Sequence, residues 1–314
     1  KDNLKTFLSQ QDEFTDYNFE GSGMNILLDV LAYNTHYLGY NANMLANEMY
    51  LDSADQRSSV VSLAKQVGYT PRSSTSSQAT IDVVVNNASG PSLTMSRGTK
   101  FTSTVDGTNY SFVANADVSI SPADGVYKFS NIVIYEGTYL NYKYTANTSD
   151  TDQRFIIPND DVDTNTLTVK VQESASDSTT NTYTLASGVT GIDSTSKVFF
   201  LQEVENGRFE VYFGDGVLGE SIKDGNIVIL DYITCNRDEP NGAQTFTLSG
   251  SVGGFSNVTI TTLGTAAGGD DPETIKSIKY NAPRDYTAQD RAVTADDYKV
   301  LVKSLYANAQ SVQV

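Results

Sequence analysis

The sequence contains few of the residues on which most catalytic and metal sites depend. Among its 314 residues it has one cysteine, one histidine and no tryptophan. A single cysteine excludes a disulfide within the chain, which is typical of proteins that fold in a reducing compartment. The lone histidine, His36, has no cysteine or base near it in the sequence, so neither a zinc site nor a Ser-His-Asp triad is indicated. We therefore expect no enzyme activity, no cofactor and no bound metal.

Basic residues are also scarce. Lys and Arg number 21 against 38 Asp and Glu, which gives a formal net charge of −17. A protein that binds DNA or RNA presents a basic face to the phosphates, so we expect no nucleic-acid partner. We also expect no membrane partner, because the sequence has no run of about 18 apolar residues and its N-terminus lacks the apolar core of a secretory signal. The acidity is typical of a soluble subunit that stays monomeric before assembly.

A helical pattern covers residues 22–68. Four apolar residues recur every seven positions: Met24, Leu31, Leu38 and Leu45. Their neighbours are also mostly apolar, so the pattern predicts a helix with a broad apolar surface. Only Asp29 and Glu48 carry a full charge in its first part. Asn34 and Asn41 lie within the apolar stripe, as polar residues do where a coiled coil fixes its register.

A helix with so few charges is rarely solvated on any face, so we predict that it contacts other proteins. Burial inside the chain itself is the alternative interpretation. The predicted protein interface consists of nine residues: Val30, Leu31, Tyr33, Tyr37, Leu38, Tyr40, Met44, Leu45 and Met49.

Capping signals predict where the N-terminal helices begin and end. Ser22 is expected to cap the first helix. A second helix is expected to begin at Asp52 or Ser53, with Gln56 completing a capping box. Gly68 is expected to end it.

The rest of the chain is predicted to be β-rich and then helical. From about residue 79 to residue 263, apolar and polar residues alternate, with Asp-Gly turn signals between segments. A last helix is expected near Thr294, with Asp297 completing its capping box. The predicted fold class is α+β: an N-terminal helical segment, a central β-rich domain of mainly antiparallel strands, and C-terminal helices. We place these parts at 1–72, 73–265 and 266–314; the Ser/Thr/Asp-rich stretch 174–180 is either a hairpin tip or a division of the β-rich part.

Three short segments have compositions found in ligand sites. The acids of 268–273, and those of the group Asp160, Asp161 and Asp163, are suited to a hard cation. A capped helix entry and a solvated acidic turn are the favoured interpretations. The segment 213–219 lacks the ending of a phosphate loop and the acid spacing of an EF-hand, so a tight turn after a strand is favoured there.

Tyrosine is in excess, with 19 residues. Tyr139, Tyr142 and Tyr144 on one predicted β segment are suited to stacking on sugar rings or to packing in a core or an interface. A glycan-binding adhesin or fibre component is therefore the alternative function, although the short repeats typical of fibres are absent. A hydrolase with paired carboxylates is a further alternative, but the sequence marks no particular pair of acids.

Seven groups of residues, in the same order along almost the whole chain, carry a family resemblance. They lie at 16–22 with 25–35, 57–61 with 68–71, 97–101, 155–159, 212–216, 225–228, and 268–273 followed by 283–284 and 291–298. In these segments the chain resembles the inner-ring baseplate wedge proteins of T-even-type phages and, more distantly, the baseplate J-like proteins. Each motif is short, and the order of all seven gives the resemblance its specificity.

The resemblance implies a structural role in a contractile-tail phage. In that family two copies of the protein join one larger wedge subunit through a bundle of N-terminal helices, and six wedges close an inner ring around the tail hub. It further implies contacts with neighbouring wedge and sheath-initiating proteins, a location in the virion tail baseplate after assembly in the host cytoplasm, and a part in coupling baseplate rearrangement to sheath contraction. The family's proteins are about twice as long, so this chain is expected to correspond to their N-terminal half.

Overall fold

Helices come first along the chain, as the apolar periodicity predicts. The computed structural model describes residues 1–14, 17–150, 153–186, 188, 191–288, 291–305 and 312–314. They form two units, Lys1–Leu63 and Ala64–Val314, which are described separately. Among the described helices, none is long and apolar enough to cross a membrane.

The first unit contains the helices α1 (Asp2–Ser9) and α2 (Gly23–Glu48) and the start of α3 (Arg57–Gln66). In α1, which the sequence patterns did not single out, Lys5 pairs with Glu20 at 3.3 Å. Ser22 lies at the N-cap of α2 with extended backbone, but its side chain does not cap the helix. Its hydroxyl instead donates to the Phe19 carbonyl at 3.2 Å, so the predicted side-chain cap is wrong.

The predicted start of α3 is also wrong. The helix begins at Arg57, not at Asp52 or Ser53. The Ser53 hydroxyl donates backward to the Asn47 carbonyl at 2.6 Å and is not available as a cap. The Glu48 carboxylate, at the end of α2, accepts the backbone N–H groups of Asp55 and Gln56 at 2.9 and 3.3 Å. This acceptor lies seven and eight residues before its donors, outside the spacing of a capping box.

The end of α3 follows the prediction. Gly68 has a φ of +83°, a left-handed conformation that glycine adopts without a steric penalty. The N–H of Tyr69 then bonds to the Ala64 carbonyl at 3.1 Å, and the N–H of Gly68 bonds to that of Lys65 at 3.0 Å. This pattern is the glycine-terminated helix end in which the last free carbonyls find donors.

The second unit is built around two large sheets. The first has the strand order β14-β3-β4-β6-β1-β15, and all its pairs are antiparallel. Its strands are β1 (Gln78–Val85), β3 (Lys100–Val105), β4 (Thr108–Ala114), β6 (Tyr127–Glu136), β14 (Thr247–Ser249) and β15 (Val258–Ala267). Alternate residues of β1 are buried, so the predicted period of two points one face into a core. A small pair, β2 (Leu93–Met95) and β5 (Val118–Ile120), adds to this core.

The second sheet has the order β7-β13-β9-β10-β11-β12-β8. Its strands are β7 (Thr138–Thr145), β8 (Phe155–Ile156), β9 (Val162–Gln172), β10 (Thr180–Leu185), β11 (Val198–Glu203), β12 (Phe209–Phe213) and β13 (Ile227–Thr234). All pairs are antiparallel except β10 with β11. The sheet has its own hydrophobic core, to which Val169, Val211, Leu230 and Tyr232 contribute. The stretch 174–180 spans the connection from β9 to the start of β10.

Two helices follow the sheets. They are α4 (Ile275–Ala288), which contains Pro283, and α5 (Ala295–Leu305). The predicted capping box of α5 is present: Asp297 accepts the Thr294 N–H at 2.8 Å, and the Thr294 hydroxyl accepts the Asp297 N–H at 3.3 Å. Helices at both ends and mainly antiparallel sheets between them confirm the α+β fold class. The domain limits at 72/73 and 265/266 stay predictions.

Candidate protein interface on helix α2

All nine residues of the predicted interface lie on α2 or directly after it, with their side chains exposed. Their exposed fractions range from 41% at Met44 to 68% at Leu45 and Met49. Three further large apolar side chains that the prediction left out are also exposed: Ile26, Leu27 and Tyr50. The same apolar periodicity includes Ile26 and Leu27, so the sequence contained the signal for them. His36 is exposed on the same helix.

The exposed side chains form two rows along α2, because residues three, four and seven apart share a helix face. One row consists of Leu27, Leu31, Leu38, Leu45 and Met49. The other consists of Ile26, Val30, Tyr33, Tyr37, Tyr40 and Met44. Asn34, Asn41 and Glu48 lie on the line between the two rows. We call the two rows and this line the α2 face.

Neighbouring tyrosines on the α2 face contact each other. The rings of Tyr33 and Tyr37, one helical turn apart, have centroids 4.7 Å apart at an interplanar angle of 54°. A hydrogen bond with the Tyr37 hydroxyl raises the pKa of Tyr33. These rings therefore form an ordered apolar surface with two polar groups at its rim.

The two full charges of α2 are engaged within the first unit. The Asp29 carboxylate pairs with the Lys1 ammonium at 2.7 Å. The Glu48 carboxylate accepts the two N–H groups that precede α3. The α2 face is therefore a large exposed apolar surface with no uncompensated charge, the kind of surface that marks a protein interaction site.

Comparisons with known proteins point to the same role. A family model described as "Baseplate wedge protein gp6-like, helical domain" matches residues 1–69. A second, "Bacteriophage baseplate wedge protein gp6, third domain", matches residues 142–241. The chain is 29% identical over 344 aligned residues to baseplate wedge protein gp6 of Enterobacteria phage T4, an alignment that covers 100% of this chain and 50% of that protein.

The resemblance to a phage baseplate wedge protein is confirmed. The gp6-like helical match contains α1, α2 and α3, and so includes the whole α2 face. The third-domain match runs from within β7 to just beyond β13 and so covers most of the second sheet. The chain spans about half the length of the T4 relative. These matches support a structural role in a baseplate.

The acidic segments are engaged with arginines. Arg237 donates to Asp161 and Asp271, both at 2.9 Å, and Arg72 donates to Asp270 at 2.6 Å. Among the described residues, no group of three or more His, Cys, Asp and Glu side chains could hold a metal ion. The arrangement therefore favours ion pairs that join loops of the fold.

Asp163 departs from the predicted solvated turn. Its side chain is buried, with 2% of the residue exposed, and it accepts the N–H groups of Ser76 and Asn165 at 2.9 and 3.0 Å. Burial raises the pKa of Asp163, although these hydrogen bonds oppose the shift. The carboxylate therefore organises backbone from the start of the first sheet and from β9.

The segment 213–219 is a tight turn, the favoured interpretation. The Asp215 carboxylate accepts the N–H groups of Val217 and Leu218 at 2.9 and 3.0 Å, which lowers the pKa of Asp215. A Cβ added to Gly214 would lie 2.2 Å from the Leu218 carbonyl oxygen, so the backbone itself fills the turn.

Two of the three tyrosines of β7 are engaged inside the fold. The Tyr139 hydroxyl donates to Asp231 at 2.8 Å, and the Tyr144 hydroxyl donates to the Ile156 carbonyl at 2.6 Å. Tyr142 is 40% exposed. One half-exposed ring does not make the stacking platform that the glycan-binding alternative requires, so the tyrosines of β7 favour a core role.

Proposed function

We propose that this chain is a structural subunit of a contractile-tail phage baseplate wedge, and that α2 packs in a helical bundle with a second copy of the chain and a larger wedge subunit. The observation that carries the proposal is the exposed α2 face in the region that matches the gp6-like helical domain. No catalytic step belongs to this role.

The energetics of the α2 face favour association. Burying one leucine or valine side chain contributes about 1.5–3 kcal/mol. Leu31 and Leu38 are 52% and 62% exposed, so a bundle would remove a large part of each from water. Because α2 carries no uncompensated charge, this contribution is not offset by the cost of desolvating an ion.

The proposed bundle gives the subunit its place in the virion. We infer that wedges built on it form the inner ring around the tail hub, next to neighbouring wedge and sheath-initiating proteins. Assembly takes place in the host cytoplasm, and the ring couples baseplate rearrangement to sheath contraction. The extent of the T4 alignment supports this placement.

A double substitution on the α2 face tests the proposal. Leu31→Asp with Leu38→Asp removes two apolar contacts and places two carboxylates in the bundle, where each costs several kcal/mol unless it reaches water. We expect this variant to lose co-purification with the co-expressed larger wedge subunit. Thermal melting of the second unit should stay at the wild-type temperature.

A matched control separates the interface from a general effect of charge. Leu185 and Leu263, in the second unit, are 55% and 51% exposed. Leu185→Asp with Leu263→Asp should leave co-purification at the wild-type level. If the α2 variant still binds its partners, the α2 face is not the interface. If its second unit unfolds as well, the apolar stripe is an internal core.

A further inference from the structure

Asn34 and Asn41 lie seven residues apart in the middle of the α2 face. Both side chains are exposed, and among the described residues neither amide makes a hydrogen bond. From these two amides we propose that two copies of α2 pair in parallel and in register, so that each asparagine faces its own counterpart. This inference rests on the proposed function, because it assumes that α2 joins a second copy.

The α2 face follows a seven-residue repeat in which the two asparagines occupy the central position. That position is filled by Leu27, Asn34, Asn41 and Glu48. The fourth position is filled by Val30, Tyr37 and Met44, the fifth by Leu31, Leu38 and Leu45, and the seventh by Ile26, Tyr33 and Tyr40. Apolar residues therefore surround each asparagine on both sides, and pairing would bury the amides in an apolar seam.

A buried amide must find a hydrogen-bonding partner, because an unsatisfied one costs free energy. The asparagine amide contains both a donor and an acceptor, so an identical residue satisfies it. A second copy in parallel register presents Asn34 to Asn34 and Asn41 to Asn41. Both amides of each chain are then paired by the same alignment.

Other alignments leave amides against groups that do not satisfy them. A parallel slip of one repeat places one Asn34 opposite Leu27 and one Asn41 opposite Glu48. An antiparallel pair with full overlap of Gly23–Glu48 places Asn34 opposite Tyr37 and Asn41 opposite Val30. The seven-residue spacing of two asparagines therefore selects one alignment, as a polar residue at a core position does in coiled coils.

The remaining central residue does not oppose this alignment. Glu48 would lie near its counterpart in a parallel pair, but its carboxylate already accepts the N–H groups of Asp55 and Gln56. The apolar fifth and seventh positions make the face wider than two helices cover. The parallel pair therefore leaves apolar surface for a third helix, which suits the larger wedge subunit.

Cysteine crosslinking of the full chain tests the alignment. The wild-type chain, whose single Cys235 is buried, serves as the control for background. In the parallel register, two copies of Leu27→Cys bring their sulfur atoms together and should oxidise to a covalent dimer. In the antiparallel alignment, Leu27→Cys should instead crosslink to a tagged Met44→Cys copy. We expect the first product, in severalfold excess over the second.

The asparagines themselves are tested by adding Asn34→Leu and Asn41→Leu to the Leu27→Cys chain. Sedimentation should show that association persists, while the yield of the symmetric disulfide falls severalfold because slipped and antiparallel pairs become populated. An unchanged yield, or a dominant Leu27→Cys to Met44→Cys product, overturns the inference and leaves the proposed function standing. Failure of the wild-type chain to associate through α2 overturns both.

Discussion

The Tyr69 hydroxyl lies 2.8 and 2.9 Å from the two carboxylate oxygens of Glu273, a residue 204 positions further along the chain. Glu273 is 5% exposed and also accepts the Arg72 N–H at 3.2 Å, the Ser277 hydroxyl at 2.7 Å and the Asn281 amide at 2.8 Å. One buried carboxylate thus joins the chain that follows α3 to the first turns of α4. The acid that the sequence marked as a candidate cation ligand is a structural acceptor.

Tyr69→Phe should therefore destabilise the second unit. The substitution removes one donor from a buried carboxylate, which costs about 1–3 kcal/mol. Urea unfolding should show this loss in the free energy of unfolding. Tyr286→Phe is the matched control, because Tyr286 is 57% exposed and should tolerate the change. Equal effects of the two substitutions would contradict the role given to the Tyr69–Glu273 hydrogen bond.

Asp231 in β13 is a second buried acceptor. It lies 3.5 Å from the Arg97 guanidinium and 3.2 Å from the Lys170 ammonium, and its side chain is 3% exposed. The same arginine donates to the Thr166 carbonyl at 3.1 Å, so it connects the loop before β3 to the second sheet. Asp231→Asn leaves both cations without their counter-ion and should lower the free energy of unfolding by about 3–5 kcal/mol.

Asp231 should also make stability depend on pH. Burial raises the pKa of Asp231, but hydrogen bonds from Asn141, Tyr139 and Lys170 outweigh it and the net shift is downward. A depressed folded pKa contributes stability above the unfolded value of about 3.9, and this stability is lost as the pH falls toward the folded value. Urea titrations from neutral to acidic pH should show a decline that Asp231→Asn lacks. Asp124→Asn, in an exposed turn, should keep the wild-type decline.

Local patterns predicted much of this fold, because the spacings that decide helix and strand lie within a few residues. The alternation in β1 and the capping box of Thr294 and Asp297 are examples. The start of α3 was missed because its acceptor, Glu48, belongs to the preceding helix. The periodicity of α2 marked an apolar surface but not its exposure, since a buried core helix has the same pattern. Arginine partners distant in sequence decide the state of the acidic segments, and spacing does not reveal them.

Gly137 marks the passage from β6 of the first sheet to β7 of the second. Its φ is +129°, and an added Cβ would lie 2.1 Å from the Thr234 carbonyl oxygen. Gly137→Ala should therefore lower the free energy of unfolding by more than about 2 kcal/mol through strain and overpacking. Gly264→Ala in β15, where an added Cβ meets nothing within 4 Å, is the control. Thermal melting should show a large loss for the first variant and near wild-type stability for the second.

Calcium, magnesium and chelators should not change the melting temperature. The carboxylates of Asp161, Asp270 and Asp271 already pair with arginines, so a cation would have to displace a guanidinium from each. Melting curves recorded with either metal and with a chelator should coincide. A fall of many degrees on chelation would show that a metal holds these loops together.

Hydrogen exchange should separate α2 from the sheets. Of the residues of α2 only Leu28 is buried, whereas six consecutive residues of β13 are. Since few buried contacts hold the helix, its amides should exchange much faster than those of β13 in the isolated chain, and should slow when partners bind.

Gly39→Ala provides the matched stabilising change, because an added Cβ meets nothing within 4 Å and Gly39 lies outside the α2 face. Replacing glycine by alanine inside a helix contributes about 0.5–1 kcal/mol, so α2 amides should exchange about two- to fivefold more slowly. Exchange in β13 and co-purification with partners should stay unchanged. Strong protection of wild-type α2 without partners would mean that the helix is already covered, and would leave the α2 face no role in assembly.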